Sequence, residues 1–81
     1  MEVWKVVGFR NVDFKDSNGR QITGYRLYLA RQPENRNIFG LETHALFFSK
    51  ENVDYKPQEN QMVRINYNRY GKVSSIVPEE V

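Results

Sequence analysis

The sequence lacks cysteine altogether and has a single histidine, His44. Without cysteine there can be no disulfide framework and no thiolate metal site, and one histidine leaves few ligands for zinc. The absence of cysteine is typical of a reducing compartment, so we predict a cytoplasmic protein. We also expect the chain to hold no metal ion and no cofactor.

Long apolar segments are absent as well. The longest apolar run spans residues 45–48, whereas a membrane-spanning helix needs about 20 consecutive apolar residues. Residues 1–5 contain neither the basic leader nor the apolar segment of a secretory signal peptide. These absences predict a soluble, intracellular protein that has no membrane partner.

Catalytic motifs are also absent from the sequence. The sequence has no glycine-rich phosphate loop and no nucleophile elbow around a serine. Asp13 and Asp16 flank a turn signal, and Glu79 and Glu80 lie near the C-terminus, so neither pair is typical of a buried catalytic dyad. His44 is expected to have a structural or solvated role. We therefore predict that the protein is not an enzyme and takes no small-molecule substrate.

What the sequence does contain is an abundance of valine, isoleucine, tyrosine and phenylalanine, with turn signals at short intervals. This composition is typical of all-β proteins. Five strands are predicted, over residues 3–14, 21–31, 41–49, 61–68 and 72–77. Asn18-Gly19 predicts a tight hairpin turn after the first strand. Gly8 marks a break in the apolar phase of that strand, which predicts a bulge or a sharp bend.

The predicted strands suit a small barrel. A first strand that bends can serve both halves of a five-stranded, OB-like Greek-key barrel, although an SH3-like barrel also has about five strands. At most one short helical turn is expected between strands 3 and 4, with Ser49 as its N-cap. We predict one domain over residues 1–78, followed by an acidic tail at residues 79–81.

Positive charge is unevenly distributed along the chain. The formal net charge is only +2, yet residues 17–41 carry a net charge of +3. Residues 61–78 carry another +3 and contain no acidic residue. Segregated positive charge is what electrostatic contact with a polyanion requires.

Arginine alternates with tyrosine in the two basic segments, which read GYRLYLAR at residues 24–31 and RINYNRYGK at residues 64–72. Successive side chains of a strand point to opposite faces. The leucines of the first segment should therefore face the core, while Arg26 and Tyr28 should face outward. Rings and guanidinium groups on one surface suit stacked bases and phosphates. The alternative is that tyrosine merely favours strands and arginine keeps a small barrel soluble.

The layout of the chain resembles the gene V protein family of filamentous phages, and more broadly the small OB-fold single-stranded-DNA-binding proteins of phages and mobile elements. The shared order is a basic turn, a Gly-Tyr-x-Leu-Tyr strand, a loop, an apolar strand, a short turn, a hairpin tip ending in aromatic-Gly, and a closing Val-Pro. The resemblance implies that the strand 2 hairpin and a later aromatic hairpin tip contact DNA. The matching positions are Arg20, Arg26, Tyr28 and Tyr70.

These patterns together predict sequence-tolerant binding of single-stranded nucleic acid, DNA in the first place with RNA as the alternative, during phage or plasmid replication. Bases would stack on Tyr28 and Tyr70. Phosphates would contact six cationic side chains: Arg20, Arg26, Arg31, Arg64, Arg69 and Lys72. The competing hypothesis is a small β-barrel adaptor or inhibitor from a mobile element, because tyrosine and arginine are also enriched at protein interfaces.

Two adjacent rings on the third strand bear on assembly. Phe47 and Phe48 must point to opposite faces, so one ring belongs to the core and the other needs cover. A chain of 81 residues also has limited material for a core. A homodimer would satisfy both needs, and we expect one.

Overall fold

The computed structural model describes residues 3–79. Five strands form one antiparallel sheet in the order β3-β2-β1-β4-β5. Their bounds are β1 Val3–Lys15, β2 Gln21–Arg31, β3 Glu42–Ser49, β4 Met62–Tyr67 and β5 Val73–Pro78. The described residues contain no helix. The all-β prediction is confirmed, and each predicted strand agrees with an observed one to within one residue at either end.

The sheet is not closed into a barrel, which differs from the closure that the sequence predicts. β3 and β5 are its two edge strands and do not pair with each other within residues 3–79. Their facing edges are separated by an open groove, lined by Leu46 of β3 on one side and Val73 of β5 on the other. β1 joins the two halves, because it pairs with β2 from Lys5 to Lys15 but with β4 only from Val3 to Lys5.

A bulge divides β1 at the place where the sequence predicts a break. Val6 pairs with Leu29 and Gly8 pairs with Tyr28, so Val7 is an extra residue without a cross-strand partner. One extra residue reverses the face that each following side chain occupies. The residues after the bulge therefore lie on the faces opposite to those that simple alternation from Val6 would give them. Val6 lies in the core, whereas the second half of β1 places its even-numbered side chains on the opposite face.

The core lies on one face of the sheet. β2 shows the alternation most clearly, since Leu27 and Leu29 are 0% and 1% exposed while Tyr28 is 38% exposed. Burying a large apolar side chain stabilises a fold by roughly 1.5–3 kcal/mol. The buried cluster consists of Trp4, Val6, Leu27, Leu29, Leu46, Phe48, Val53, Tyr55, Val63, Ile65 and Ile76. The prediction that the leucines of β2 face inward is confirmed.

The connection after β3 contains one hydrogen-bonded turn, in which the Val53 N–H donates to the Ser49 carbonyl at 3.1 Å. The predicted N-cap is wrong. The Ser49 hydroxyl is buried and has no hydrogen-bond partner among the described residues. Ser49 is the last residue of β3 and pairs with Gly24 of β2.

Glu79, the last described residue, is bonded to β4 through both its backbone and its side chain. The Glu79 N–H donates to the Met62 carbonyl at 2.8 Å, and the Glu79 carboxylate accepts from Arg64. Residue 79, which the sequence assigns to the acidic tail, is therefore joined to β4. The rest of that predicted tail, residues 80–81, lies outside the described residues. Within residues 3–79 no helix has the length and hydropathy that a membrane crossing requires.

Candidate nucleic-acid interface

The face of the sheet opposite the core, on β1, β2 and β3, is the candidate interface, and we call it the outer face. Its central row crosses three strands, with Arg26 paired to Arg10 on one side and to Phe47 on the other. Directly paired residues of antiparallel strands lie on the same face. Arg10 and Arg26 are both exposed. The next row places Tyr28 between Gly8 and Ala45.

Three rings follow one another across the outer face. The Tyr28 ring approaches the backbone of β1, with its Cδ2 atom 3.7 Å from the position that a Cβ of Gly8 would occupy. The rings of Phe47 and Phe14 have their centroids 6.1 Å apart, and Phe14 is 44% exposed. Phe48 is buried, so the prediction that the two adjacent phenylalanines occupy opposite faces is confirmed.

The cover for the outward ring comes partly from its own chain. Phe47 packs against Phe14 and close to Gly24, where an added Cβ would come 3.0 Å from the Phe47 ring. A second subunit is thus not required to explain the position of this ring.

The outer face leads into a groove of about 640 Å³ between the end of the β1–β2 hairpin, β3 and the β4–β5 hairpin. Phe14 and Phe47 line it on the side of the outer face, and Tyr67 lines the opposite wall. Arg20 and Lys72 add one cation from each hairpin. The rings of the outer face and the cations of the hairpin ends therefore form one continuous surface.

The two hairpin ends are held by the same kind of turn. In the β1–β2 turn, Asp16 Oδ1 accepts the backbone N–H of Arg20 at 2.9 Å. In the β4–β5 turn, Asn68 Oδ1 accepts the N–H groups of Tyr70 and Lys72 at 2.9 and 3.0 Å. Side chains of aspartate and asparagine stabilise turns in this way. The backbone positions of the two groove cations are consequently fixed.

Arg20 is already engaged in the groove. Its Nη2 lies 2.5 Å from a carboxylate oxygen of Glu51, and both side chains are largely exposed. The hydrogen bond and the charge of Glu51 raise the pKa of Arg20 above its usual value. Arg20 remains charged, but a bound phosphate would have to compete with Glu51 for it.

Arg31 and Arg64, two of the predicted phosphate contacts, each form an ion pair with a glutamate of the chain. Arg31 donates to Glu42 at 2.8 Å, and its guanidinium lies 4.3 Å from the centre of the Trp4 ring. Its side chain is only 19% exposed. Arg64 makes a two-bond contact with Glu79, at 2.7 and 3.2 Å, which raises the pKa of Arg64.

Tyr70 and Arg69 lie together on the β4–β5 turn beside the groove. Tyr70 is 71% exposed, and the Arg69 guanidinium is 5.0 Å from the centre of its ring. Such a cation–π contact leaves the second face of the ring open to a stacking partner. Both residues are therefore accessible where the sequence predicts DNA contacts.

The structure thus separates the predicted contacts into two groups. Six predicted contacts lie on the outer face, in the groove or on the adjoining turn: Arg20, Arg26, Tyr28, Arg69, Tyr70 and Lys72. Arg31 and Arg64 lie outside these surfaces, in ion pairs with Glu42 and Glu79. Sequence reasoning missed Arg10, Phe14 and Phe47. Only the register after the bulge shows that the first two share a face with Arg26.

His44 lies beside Trp4 at the edge of the groove. Its ring lies 5.7 Å from that of Trp4, and it lines the groove. Residues 3–79 include no group of three or more side chains that could hold a metal ion together.

Comparison of the chain with protein-family models, with curated proteins and with solved structures gives no match. The resemblance to small OB-fold single-stranded-DNA-binding proteins therefore stays a prediction. The outer face and the groove, with the rings and cations that these two surfaces present, are therefore the features from which a function can be inferred.

Proposed function

We propose that this protein binds single-stranded nucleic acid, DNA in the first place, with little dependence on base sequence. The observation that supports the proposal is the run of rings that crosses the outer face into the groove, made of the exposed Tyr28 and Phe14 and the half-buried Phe47. Stacking of a base on an aromatic side chain contributes roughly 1–3 kcal/mol and tolerates any base, because every base has a π-face. Coating of single strands during phage or plasmid replication is the process this activity would serve.

In this mechanism the cations hold the sugar–phosphate backbone while the rings hold the bases. Arg26 borders the ring run on the outer face, and Lys72 lines the groove beyond it. Arg69 and Tyr70 extend the surface on the adjoining turn. Phosphate contacts fix the path of the strand without reading its sequence.

The proposal includes an OB-like Greek-key plan for the fold. OB-folds are partly open five-stranded barrels that bind oligonucleotides on the face of strands 2 and 3 and with the loops joining strands 1–2 and 4–5. In this chain the outer face includes β2 and β3, and the β1–β2 and β4–β5 turns border the groove. That correspondence supports the OB-like plan over an SH3-like one.

We also propose that the chain works as a homodimer. Each of the edge strands β3 and β5 pairs with one neighbour only within residues 3–79, and exposed strand edges are templates for pairing with another chain. A dimer would present two outer faces to one nucleic-acid strand. The second contact would then gain from the effective concentration that the first creates.

Titration with a fluorescent oligo-dT at two salt concentrations tests the function. Each phosphate contact releases counterions, so the logarithm of the binding constant should fall linearly with the logarithm of the salt concentration. A duplex of the same length is the control and should bind more weakly, because its bases cannot reach the rings. Absence of binding to oligo-dT at the lower salt concentration would contradict the proposal.

A protein-binding adaptor or inhibitor is the second candidate, and one observation favours it. Phe39, in the loop between β2 and β3, is 93% exposed, and Leu41 beside it is 55% exposed. Exposed patches of large apolar side chains are typical of protein contact sites. The adaptor hypothesis predicts no oligo-dT binding at either salt concentration.

A further inference from the structure

Two arginines face each other directly across the β1–β2 pair. Arg10 and Arg26 are cross-strand partners and both are exposed on the outer face. The Cβ atoms of such partners lie about 4.5–5.5 Å apart, so the two guanidinium groups can reach the same small region of surface. Like charges directly opposite each other destabilise a strand pair.

The surroundings do not neutralise this pair. Its nearest neighbours on the outer face are Gly8 and Tyr28 in one row, Val12 and Gly24 in the other, and Phe47 across the sheet, none of which is acidic. Neither arginine forms an ion pair with any residue from 3 to 79. The contrast within the chain is informative, because three other arginines each have a glutamate partner.

We infer that Arg10 and Arg26 form a binding site for a phosphoryl group, which both guanidinium groups contact together. Arginine presents two parallel N–H donors that match phosphate oxygens, and two such forks on one face can hold one phosphoryl group from two sides. The identification of that group with a nucleic-acid phosphodiester rests on the proposed function. The existence of an anion site is inferred only from the register of the β1–β2 pair and from the absence of an acidic neighbour on the outer face.

The Arg10–Arg26 pair should affect the stability of the free protein in a way that a single surface arginine would not. In the free protein the two positive charges repel each other, so the presence of both should lower the free energy of unfolding. With a phosphoryl anion bound, both contribute attraction. Removing one arginine is therefore expected to stabilise the free protein and to weaken anion binding at the same time.

Thermal unfolding at low ionic strength, with and without inorganic pyrophosphate, tests this inference. Arg10→Gln and Arg26→Gln should each raise the unfolding midpoint of the free protein by about 2–4 °C. Pyrophosphate should raise the midpoint of the unaltered protein more than sodium chloride at equal ionic strength, because a bound ligand adds to general screening. Both variants should lose that excess.

Two further variants serve as controls. Arg36→Gln removes an exposed arginine from the β2–β3 loop, where no cation faces it across a strand pair, and should change neither quantity. Arg10→Lys keeps the repulsion but loses the two-pronged donor, so it should leave the free protein unchanged and still weaken the pyrophosphate effect.

The inference is overturned if pyrophosphate raises the midpoint no more than sodium chloride does, or if Arg10→Gln and Arg26→Gln retain the full pyrophosphate effect. Binding of oligo-dT, measured on the same samples, tests the proposed function separately from the anion site. A pyrophosphate effect without oligo-dT binding would support the anion site and remove the nucleic-acid function. Equal oligo-dT binding by the unaltered protein and both glutamine variants would leave the function and show that the phosphates of the nucleic acid do not bind at Arg10 and Arg26.

Discussion

At the scale of single residues, β2 assigns three physical roles to three consecutive side chains. Arg26 is exposed on the outer face, Leu27 is fully buried, and Tyr28 is partly exposed beside Gly8. The alternation of a strand is enough to separate charge contact, core packing and ring stacking within a stretch of three residues. Substitutions at these positions should therefore have different signatures.

Tyr28→Ala should weaken oligo-dT binding by roughly 1–3 kcal/mol, because it removes a stacking ring. The dependence of binding on salt should hardly change, since no cation is lost. Tyr28→Phe is the matched control and should bind nearly as the unaltered protein does. Fluorescence titration at two salt concentrations measures both quantities.

Leu27→Ala, at the adjacent position, separates stacking from folding. It should lower the free energy of unfolding by roughly 2–5 kcal/mol and leave the affinity of the folded fraction unchanged. A Leu27→Ala protein that stays as stable as the unaltered chain but loses oligo-dT binding would show that the two faces of β2 are assigned the wrong way round.

Tyr55 makes stability depend on alkaline pH. Its side chain is buried and its hydroxyl donates to Gln61, and burial raises the pKa of Tyr55 above the ordinary value of 10.0. In the unfolded chain the hydroxyl loses its proton near pH 10, whereas in the folded protein it keeps the proton to a higher pH. The contribution is therefore complete below the unfolded pKa and is lost as the pH rises through the folded pKa.

Urea unfolding of the unaltered protein and of Tyr55→Phe at a series of pH values from neutral to above pH 10 tests this dependence. The unaltered protein should be more stable at neutral pH, by about 0.5–1.5 kcal/mol for the hydrogen bond. That advantage should shrink above pH 10. A difference that stays constant across the whole series would contradict the assignment.

At the scale of elements, the approach of β3 to β2 depends on Gly24. A Cβ at this position would come 2.1 Å from the Phe48 carbonyl oxygen and 2.9 Å from the Ser49 Cα, both of which are backbone atoms. Gly24→Ala should therefore displace β3 and lower the free energy of unfolding by roughly 1–3 kcal/mol. Denaturant unfolding measures this loss.

Gly8→Ala is the matched control for Gly24→Ala. An added Cβ at Gly8 would only touch the Tyr28 ring, at 3.7 Å, which is an ordinary van der Waals distance. The substitution should leave stability unchanged or raise it slightly, because alanine loses less backbone entropy on folding. Equal losses from the two substitutions would mean that the close approach of β3 does not limit this position.

The strands themselves could be predicted from the sequence, because apolar alternation and turn signals are local. The contacts between distant strands could not. Arg31 meets Glu42 only because β2 and β3 pair in one register, and Arg64 meets Glu79 only because the chain after β5 returns to β4. Both arginines therefore looked like free phosphate contacts in the sequence.

The candidate site shows the same limit. Arg26 and Tyr28 could be assigned to the outer face from alternation alone. Arg10 could not, because its face depends on which residue of β1 is the bulge. The open gap between β3 and β5 could not be predicted either, because closure of the sheet depends on strands that are far apart in the sequence.

At the scale of the whole molecule, assembly is the first quantity to measure. We expect sedimentation velocity at micromolar concentration to show a dimer of the 81-residue chain, because the open edges of β3 and β5 favour pairing with a second copy. Oligo-dT should strengthen the dimer, since a strand bound to both outer faces links the two copies. A monomer both with and without oligo-dT would contradict the proposed dimer.

In the complex that we propose, a single strand lies across the outer face and enters the groove. Mapping of backbone amide chemical shifts during titration with unlabelled oligo-dT tests it most directly. The largest changes should fall on the outer-face rows of β1, β2 and β3 and on the turns at residues 16–20 and 68–72, whereas the loop at residues 32–41 should be unaffected. Changes centred on that loop, or no changes at saturating oligo-dT, would contradict it.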